Sequence, residues 1–143
     1  MKKAFSLLEL IFVILLISIL SSFVISNLKD SLSFGNEAKI KSEIALIRNS
    51  ISKKLTENEL LNIDENIVLD SASFEVENSK LFDNILQSPL ISTTSGKKEL
   101  AKWIKTSSNS YKIYISDDQF LQFNFNNNSF ECVSNKDLCE SFE

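Results

Sequence analysis

Few side chains in this sequence can do chemistry, and their positions limit which kind. Glu9 is the single charge in the apolar run 5–25, FSLLELIFVILLISILSSFVI. A carboxylate inside hydrocarbon costs a few kcal/mol or more, so such a residue normally has a partner and a purpose. Cys132 and Cys139 stand near the other end, in ECVSNKDLC. In an exported domain an even cysteine pair reads as a disulfide, with two free buried thiols as the alternative. Asn62, Asp64, Asn66 and Asp70 alternate oxygen-bearing side chains in the manner of a calcium loop. That loop's turn glycine and correctly spaced terminal glutamate are missing, which favours a structural polar loop. Asp117 and Asp118 lie in SDDQ, which reads as a solvated turn.

Composition removes most other chemistries. Histidine is absent, and with it the commonest general base and metal ligand. Two cysteines cannot by themselves close a zinc site, which takes four Cys or His ligands. A nucleophilic cysteine has no evident base beside it. Two glycines and one proline leave no phosphate-cradling loop and favour long uninterrupted elements. The chain is therefore expected to be no enzyme and to hold no cofactor or metal. With 15 Lys and Arg against 19 Asp and Glu, its net charge is −4. Direct nucleic-acid binding is not expected, because phosphate contacts need a basic surface.

The elements that carry these residues divide sharply along the chain. Run 5–25 would rise about 31 Å as a helix, matching a hydrocarbon core of about 30 Å. From Ser26 onward the chain is polar, with 13 basic and 18 acidic side chains. Lys2 and Lys3 precede the run, whereas Lys29 and Asp30 offset each other after it. The positive tip should stay cytoplasmic and the remainder should be exported. A cleaved secretory signal fits poorly, because the run is long and SSFVISNLKD offers no Ala-x-Ala-like site. A plain membrane anchor leaves Glu9 unexplained.

The stretch MKKA–FSLLELIFVILLISIL resembles the class III leader of type IV pilins and type II secretion pseudopilins. In that family a short basic leader is removed on the cytoplasmic side, before the apolar run. The resemblance places the cut between Ala4 and Phe5, makes Phe5 the N-methylated first residue, and makes Glu9 the fifth. The family prefers Gly before the cut, where this chain has Ala4. Many members also kink the helix with a Pro near the end of the span, where this chain has Ser26 and its neighbours. The likeness is close over about the first 30 residues and is architectural beyond them.

Elementary electrostatics gives Glu9 a task under that resemblance. Cutting after Ala4 leaves a cationic amine on Phe5, one helical turn from Glu9. The carboxylate can pair with that amine in its own chain or in a neighbour's. Packed in an apolar bundle the pair is dehydrated, so leaving either charge alone becomes costly. Glu9 would then set the height at which subunits stack.

Downstream, Ile40, Ile44, Ile47, Ile51 and Leu55 recur every three or four residues and mark one helical face. The pattern predicts one long helix from Phe5 to about Glu59, with Gly35 as the candidate for a bend. The middle, 60–98, predicts a short strand over Ser73–Glu77 and a helical turn over Leu81–Leu86 ending before Pro89. After it the period switches to two. Lys102–Thr106, Tyr111–Ile115, Phe120–Phe125 and Ser129–Val133 read as an antiparallel meander joined by polar turns. Trp103, Tyr111, Ile113 and Ile115 are expected against the isoleucine stripe. Core packing accounts for the aromatic residues better than base stacking, which needs a positive track beside the rings.

The expected fold is α+β: a long N-terminal helix, its first half transmembrane, packed on a small antiparallel β-sheet. The expected divisions are a leader at 1–4, a transmembrane and filament-core helix at 5–27, and a periplasmic pilin-like head at 28–143. The resemblance implies a pseudopilin or minor pilin that is cleaved, N-methylated and assembled into a filament for type II secretion or DNA uptake. Its partners would be a prepilin peptidase, other pilin or pseudopilin subunits, an inner-membrane assembly platform with its ATPase, and membrane lipid before assembly. A major pilin for adhesion or motility and a membrane-anchored periplasmic binding module are the alternatives.

Overall fold

The computed structural model describes residues 7–143, with 23–33 described in backbone alone. Helix α1 runs from Leu7 to Leu60, 54 residues without a proline. Helical structure continues across Gly35, where an added Cβ would meet nothing within 4 Å. The first residues of the expected helix, Phe5 and Ser6, lie outside the described ones. Chain contacts divide just after Gly35, and Asn36–Glu143 forms a compact unit of its own.

Within that unit α1 keeps its predicted stripe. Ile40, Ile44, Ile47 and Ile51 are buried, and Leu55 packs partly buried against the same core. Spacings of three and four bring these side chains to one face, and charged residues between them such as Lys53 and Lys54 stay outside. Lys41 pairs with Glu37, and Lys53 with Glu57, across single turns of the outer face.

The stripe meets a four-stranded antiparallel meander: β3 (Trp103–Ser107), β4 (Ser110–Tyr114), β5 (Phe120–Asn126) and β6 (Ser129–Cys132), in that spatial order. Two short strands precede it, β1 (Lys80–Leu81) and β2 (Leu90–Ile91), which pair only with each other. Register stacks Trp103, Ile113 and Leu121 in one row and Tyr111 and Phe123 in another. All five are essentially fully buried. Removing side chains of this size from water stabilises by roughly 1.5–3 kcal/mol each. Gln122 and Asn124 take the other face of β5. The β5–β6 connection is the two-residue turn Asn127–Asn128, both at positive φ. Asparagine tolerates that conformation, and paired positive φ values suit a tight hairpin.

The middle segment differs from expectation. Ser73–Glu77 forms no strand, because Glu75 adopts a left-handed φ of 52° that breaks an extended run. Glu75 instead donates one backbone N–H to the carbonyl of Lys105 on β3. The helical turn is present in essence: Ile85 and Leu86 both donate to the Phe82 carbonyl.

Cys132 and Cys139 are joined by a disulfide, with Cα atoms 5.8 Å apart. The loop between them holds a short helix, α2 (Lys136–Glu140), capped by the Asn135 side chain accepting from the Asp137 N–H. Closing so small a loop contributes roughly 2–3 kcal/mol by restricting the unfolded chain.

Candidate assembly surface

Every described residue from Leu7 to Ser22 is exposed, including Leu7 at 77% and Leu20 at 64%. An isolated helix that is apolar all round cannot hide its surface against a single neighbour; it needs a membrane or a ring of other chains. Soluble monomers rarely leave so large a contiguous apolar patch uncovered. Ser18 satisfies its hydroxyl internally, donating to the Ile14 carbonyl at 2.8 Å, so it asks nothing polar of its surroundings. Glu9 lies in the first turn of α1, within this apolar sleeve. Ala4 and Phe5, the expected cleavage and methylation residues, lie outside the described residues.

Among the described residues no helix is long and apolar enough to cross a membrane. The described side chains of the apolar run end at Ser22, short of the roughly 20 residues a span requires. Of the expected 5–27 span, 5–6 and the side chains of 23–27 fall outside them.

The unit Asn36–Glu143 also buries a polar cluster. Asp70 is buried, and its carboxylate accepts four hydrogen bonds. Oδ1 takes Lys105 Nζ at 2.6 Å and the Ala72 N–H at 3.1 Å. Oδ2 takes the Tyr111 hydroxyl at 2.7 Å and the Phe82 N–H at 3.1 Å. Burial, and then the hydrogen bond to the Asp70 carboxylate, hold the Tyr111 phenol well above its ordinary pKa, so it remains a donor. With both oxygens occupied by protein donors, Asp70 fastens the middle segment to the sheet. It does not serve as a calcium ligand beside Asn62, Asp64 and Asn66. Among the described residues no cluster of three or more His, Cys, Asp or Glu is arranged to hold a metal ion.

Two further contacts tie α1 to the sheet. The Trp103 indole N–H donates to Glu43 at 2.8 Å, while Lys39 lies 3.7 Å from the same carboxylate. Burial pushes the Glu43 pKa up, against the lowering effects of Trp103 and Lys39. Arg48 donates to the Phe130 carbonyl at 3.1 Å and to the Glu143 carboxylate at 2.7 Å. It thereby caps the outer edge of β6 and holds the C-terminal residue. Sequence reasoning missed these anchors because the side-chain contacts of Lys105 and Tyr111 with Asp70, of Trp103 with Glu43, and of Arg48 join residues 35 to 95 positions apart. An acid or base isolated within a predicted apolar stripe or strand, such as Glu43 or Lys105, was the available signal.

Comparison with protein-family models, with curated proteins and with solved structures returned no match.

Proposed function

We propose that this chain is a prepilin-like structural subunit, a pseudopilin or minor pilin, whose activity is assembly rather than catalysis. The supporting observation is the exposed, all-round apolar helix Leu7–Ser22 with one carboxylate, Glu9, continuing into the helix that organises a disulfide-closed head. On this reading the fold is pilin-like. Residues 5–27 first span the inner membrane with the head in the periplasm, then pack as the core of a filament. A prepilin peptidase cuts between Ala4 and Phe5 and methylates the new amine of Phe5. An ATPase-driven inner-membrane platform then lifts the subunit into a filament serving type II secretion or DNA uptake. Glu9 pairs with the Phe5 amine and fixes the height of each added subunit, since a misplaced carboxylate would remain buried without its counter-charge. This chain is expected to hold no cofactor of its own in these steps; the methyl group reaches the Phe5 amine from a methyl donor held by the peptidase, and the amine gives up a proton.

Intact mass of the native chain tests the reading directly. Co-expression with a prepilin peptidase should remove residues 1–4 and add one methyl group to Phe5. A chain that keeps Met1 in the presence of the active peptidase would overturn the proposal and favour a membrane-anchored binding module.

A further inference from the structure

We propose that the head carries two unlike docking patches that bind each other in neighbouring copies of this chain: the apolar, carboxylate-rimmed tip that follows α1, and the Lys98–Lys112 face. The inference rests on the filament reading above and names the head-to-head contact within it.

Topology puts the two patches at opposite ends of the sheet. The β3–β4 and β5–β6 turns lie at one end, and the β4–β5 turn, 115–119, lies at the other. The helix runs between them. Lys39 donates to the Ala101 carbonyl at 2.6 Å, and Ala101 in turn donates to the carbonyl of Tyr114, the last residue of β4. Leu55 and Asn58 share a hollow with Asn128 of the β5–β6 turn. The chain that follows α1 therefore emerges at the end away from Tyr114.

At that emerging end Leu60, Leu61, Ile63 and Val68 are exposed by 78, 67, 44 and 62%. Glu59, Asp64 and Glu65 stand exposed among them and join no ion pair among the described residues. Glu57, by contrast, is taken by Lys53 and Lys54. The Tyr114 end carries two lysines without an ion pair among the described residues, beside the exposed turn that holds Asp117 and Asp118. Lys98 and Lys112 flank the Tyr114 ring at 5.9 and 5.8 Å, and Lys112 lies 4.3 Å from the centre of the Phe120 ring. Leu100 and Phe120 add exposed apolar surface. Lys97 and Lys102 are already paired with Glu77 and Glu99, which leaves Lys98 and Lys112 as the cations of this face without an ion pair among the described residues. Asp117 and Asp118 occupy the neighbouring turn. Asp118 shares a hollow with Phe120 as well as with Gln122, Ser134 and Leu138, so its carboxylate stands at the β5–β6 edge of this face, whereas Leu100 bridges to Tyr114 from the β3 side.

A second copy is the occupant that this arrangement favours. Tip against tip would set carboxylates facing carboxylates, and the lysine faces would repel each other likewise. Tip against lysine face matches both charge and apolar surface. Because the patches differ and lie at opposite ends, the contact is heterologous and repeats without closing, as a filament requires.

The test uses the full chain in cells that supply the peptidase and the assembly machinery. Lys98→Glu with Lys112→Glu should lower filament yield by at least roughly tenfold, since juxtaposed like charges are strongly unfavourable. Adding Glu59→Lys and Asp64→Lys to that variant should restore most of the yield. Leader cleavage and cysteine oxidation should be normal throughout. If the reversed chain fails to oxidise its cysteines, Lys98→Gln with Lys112→Gln replaces it, with an expected loss of about threefold. Unchanged yield, or a loss that the swap does not relieve, overturns the head contact while leaving the subunit reading intact. An uncleaved leader in the unaltered chain overturns both.

Discussion

Residues 7–22 and 40–55 belong to the same helix, yet they dispose their apolar groups in opposite ways. In the first segment aliphatic side chains cover the whole circumference and all are exposed. In the second they form a narrow stripe, and Ile40, Ile44, Ile47 and Ile51 are each no more than 3% exposed. Both segments are helical, so the difference lies in what each surface asks of its surroundings. A striped helix is satisfied by one sheet within its own chain. A helix apolar on every side is satisfied only by lipid or several other helices. On the subunit reading, one half of α1 stabilises a fold and the other half joins an assembly.

If the halves are energetically separate, damage to the head should destabilise the head alone. Asp70→Ala should have the largest effect. It leaves Lys105 as a buried cation without its counter-charge, and it strips the Tyr111 hydroxyl and two backbone N–H groups of their acceptor. Breaking a buried pair this way costs about 3–5 kcal/mol. Thermal melting of the full chain in detergent, followed by near-ultraviolet circular dichroism of the head's aromatic residues, should show a large drop. A melting temperature within a degree or two of the parent's would mean that the cluster is not what fastens the middle segment.

A matched pair of truncations sharpens the contrast. Ile47→Ala empties a fully buried site in the core and should cost about 2–5 kcal/mol in the same melt. Ile14→Ala removes a similar volume from an exposed position and should leave the head's melting within about 0.5 kcal/mol. If Ile14→Ala lowered head stability comparably, the two halves would be one cooperative unit and the comparison would fail.

A related division separates the parts of the fold that are legible in the amino-acid sequence from those that are not. The stripe and the four strands of the meander are legible, because periods of 3.6 and 2 are local properties of the chain. Observed strand ends differ from the predicted ones by one residue or so, as at Trp103 and Ser110. The middle segment is not legible, because its order depends on contacts between residues far apart in the chain. By sequence Asp70 is one of four surface oxygens; in the fold Lys105, Tyr111 and Phe82 close around it. Left-handed φ values at Glu75 and Phe82, neither a glycine, likewise carry no local signature. The cysteines are legible as a pair, but the small helix α2 between them is not. Of the residues proposed for assembly, Glu9 stands out by chemistry alone, as the one charge in the apolar run 5–25.

The smallest effect expected concerns Glu43, where α1 meets the sheet. Burial raises its folded-state pKa above the ordinary value of 4.5, even though Trp103 and Lys39 favour the charged form. The folded chain therefore holds this proton more tightly than the unfolded chain does. Wherever the folded state binds more protons, stability falls as pH rises. The Glu43 contribution should be greatest below its unfolded pKa and should decline from about pH 4.5 upward until the folded-state pKa has been passed. Glu43→Gln keeps an acceptor for the Trp103 indole N–H and removes the titration, at the loss of the long Lys39 contact. Near neutral pH its stability should lie within about 1 kcal/mol of the parent's, as for most single partly exposed ion pairs. Subtracting the two melting profiles across acidic pH should isolate a shallow decline present only in the parent. Parallel profiles would show that the Trp103 and Lys39 contacts offset burial completely, making this junction electrostatically neutral.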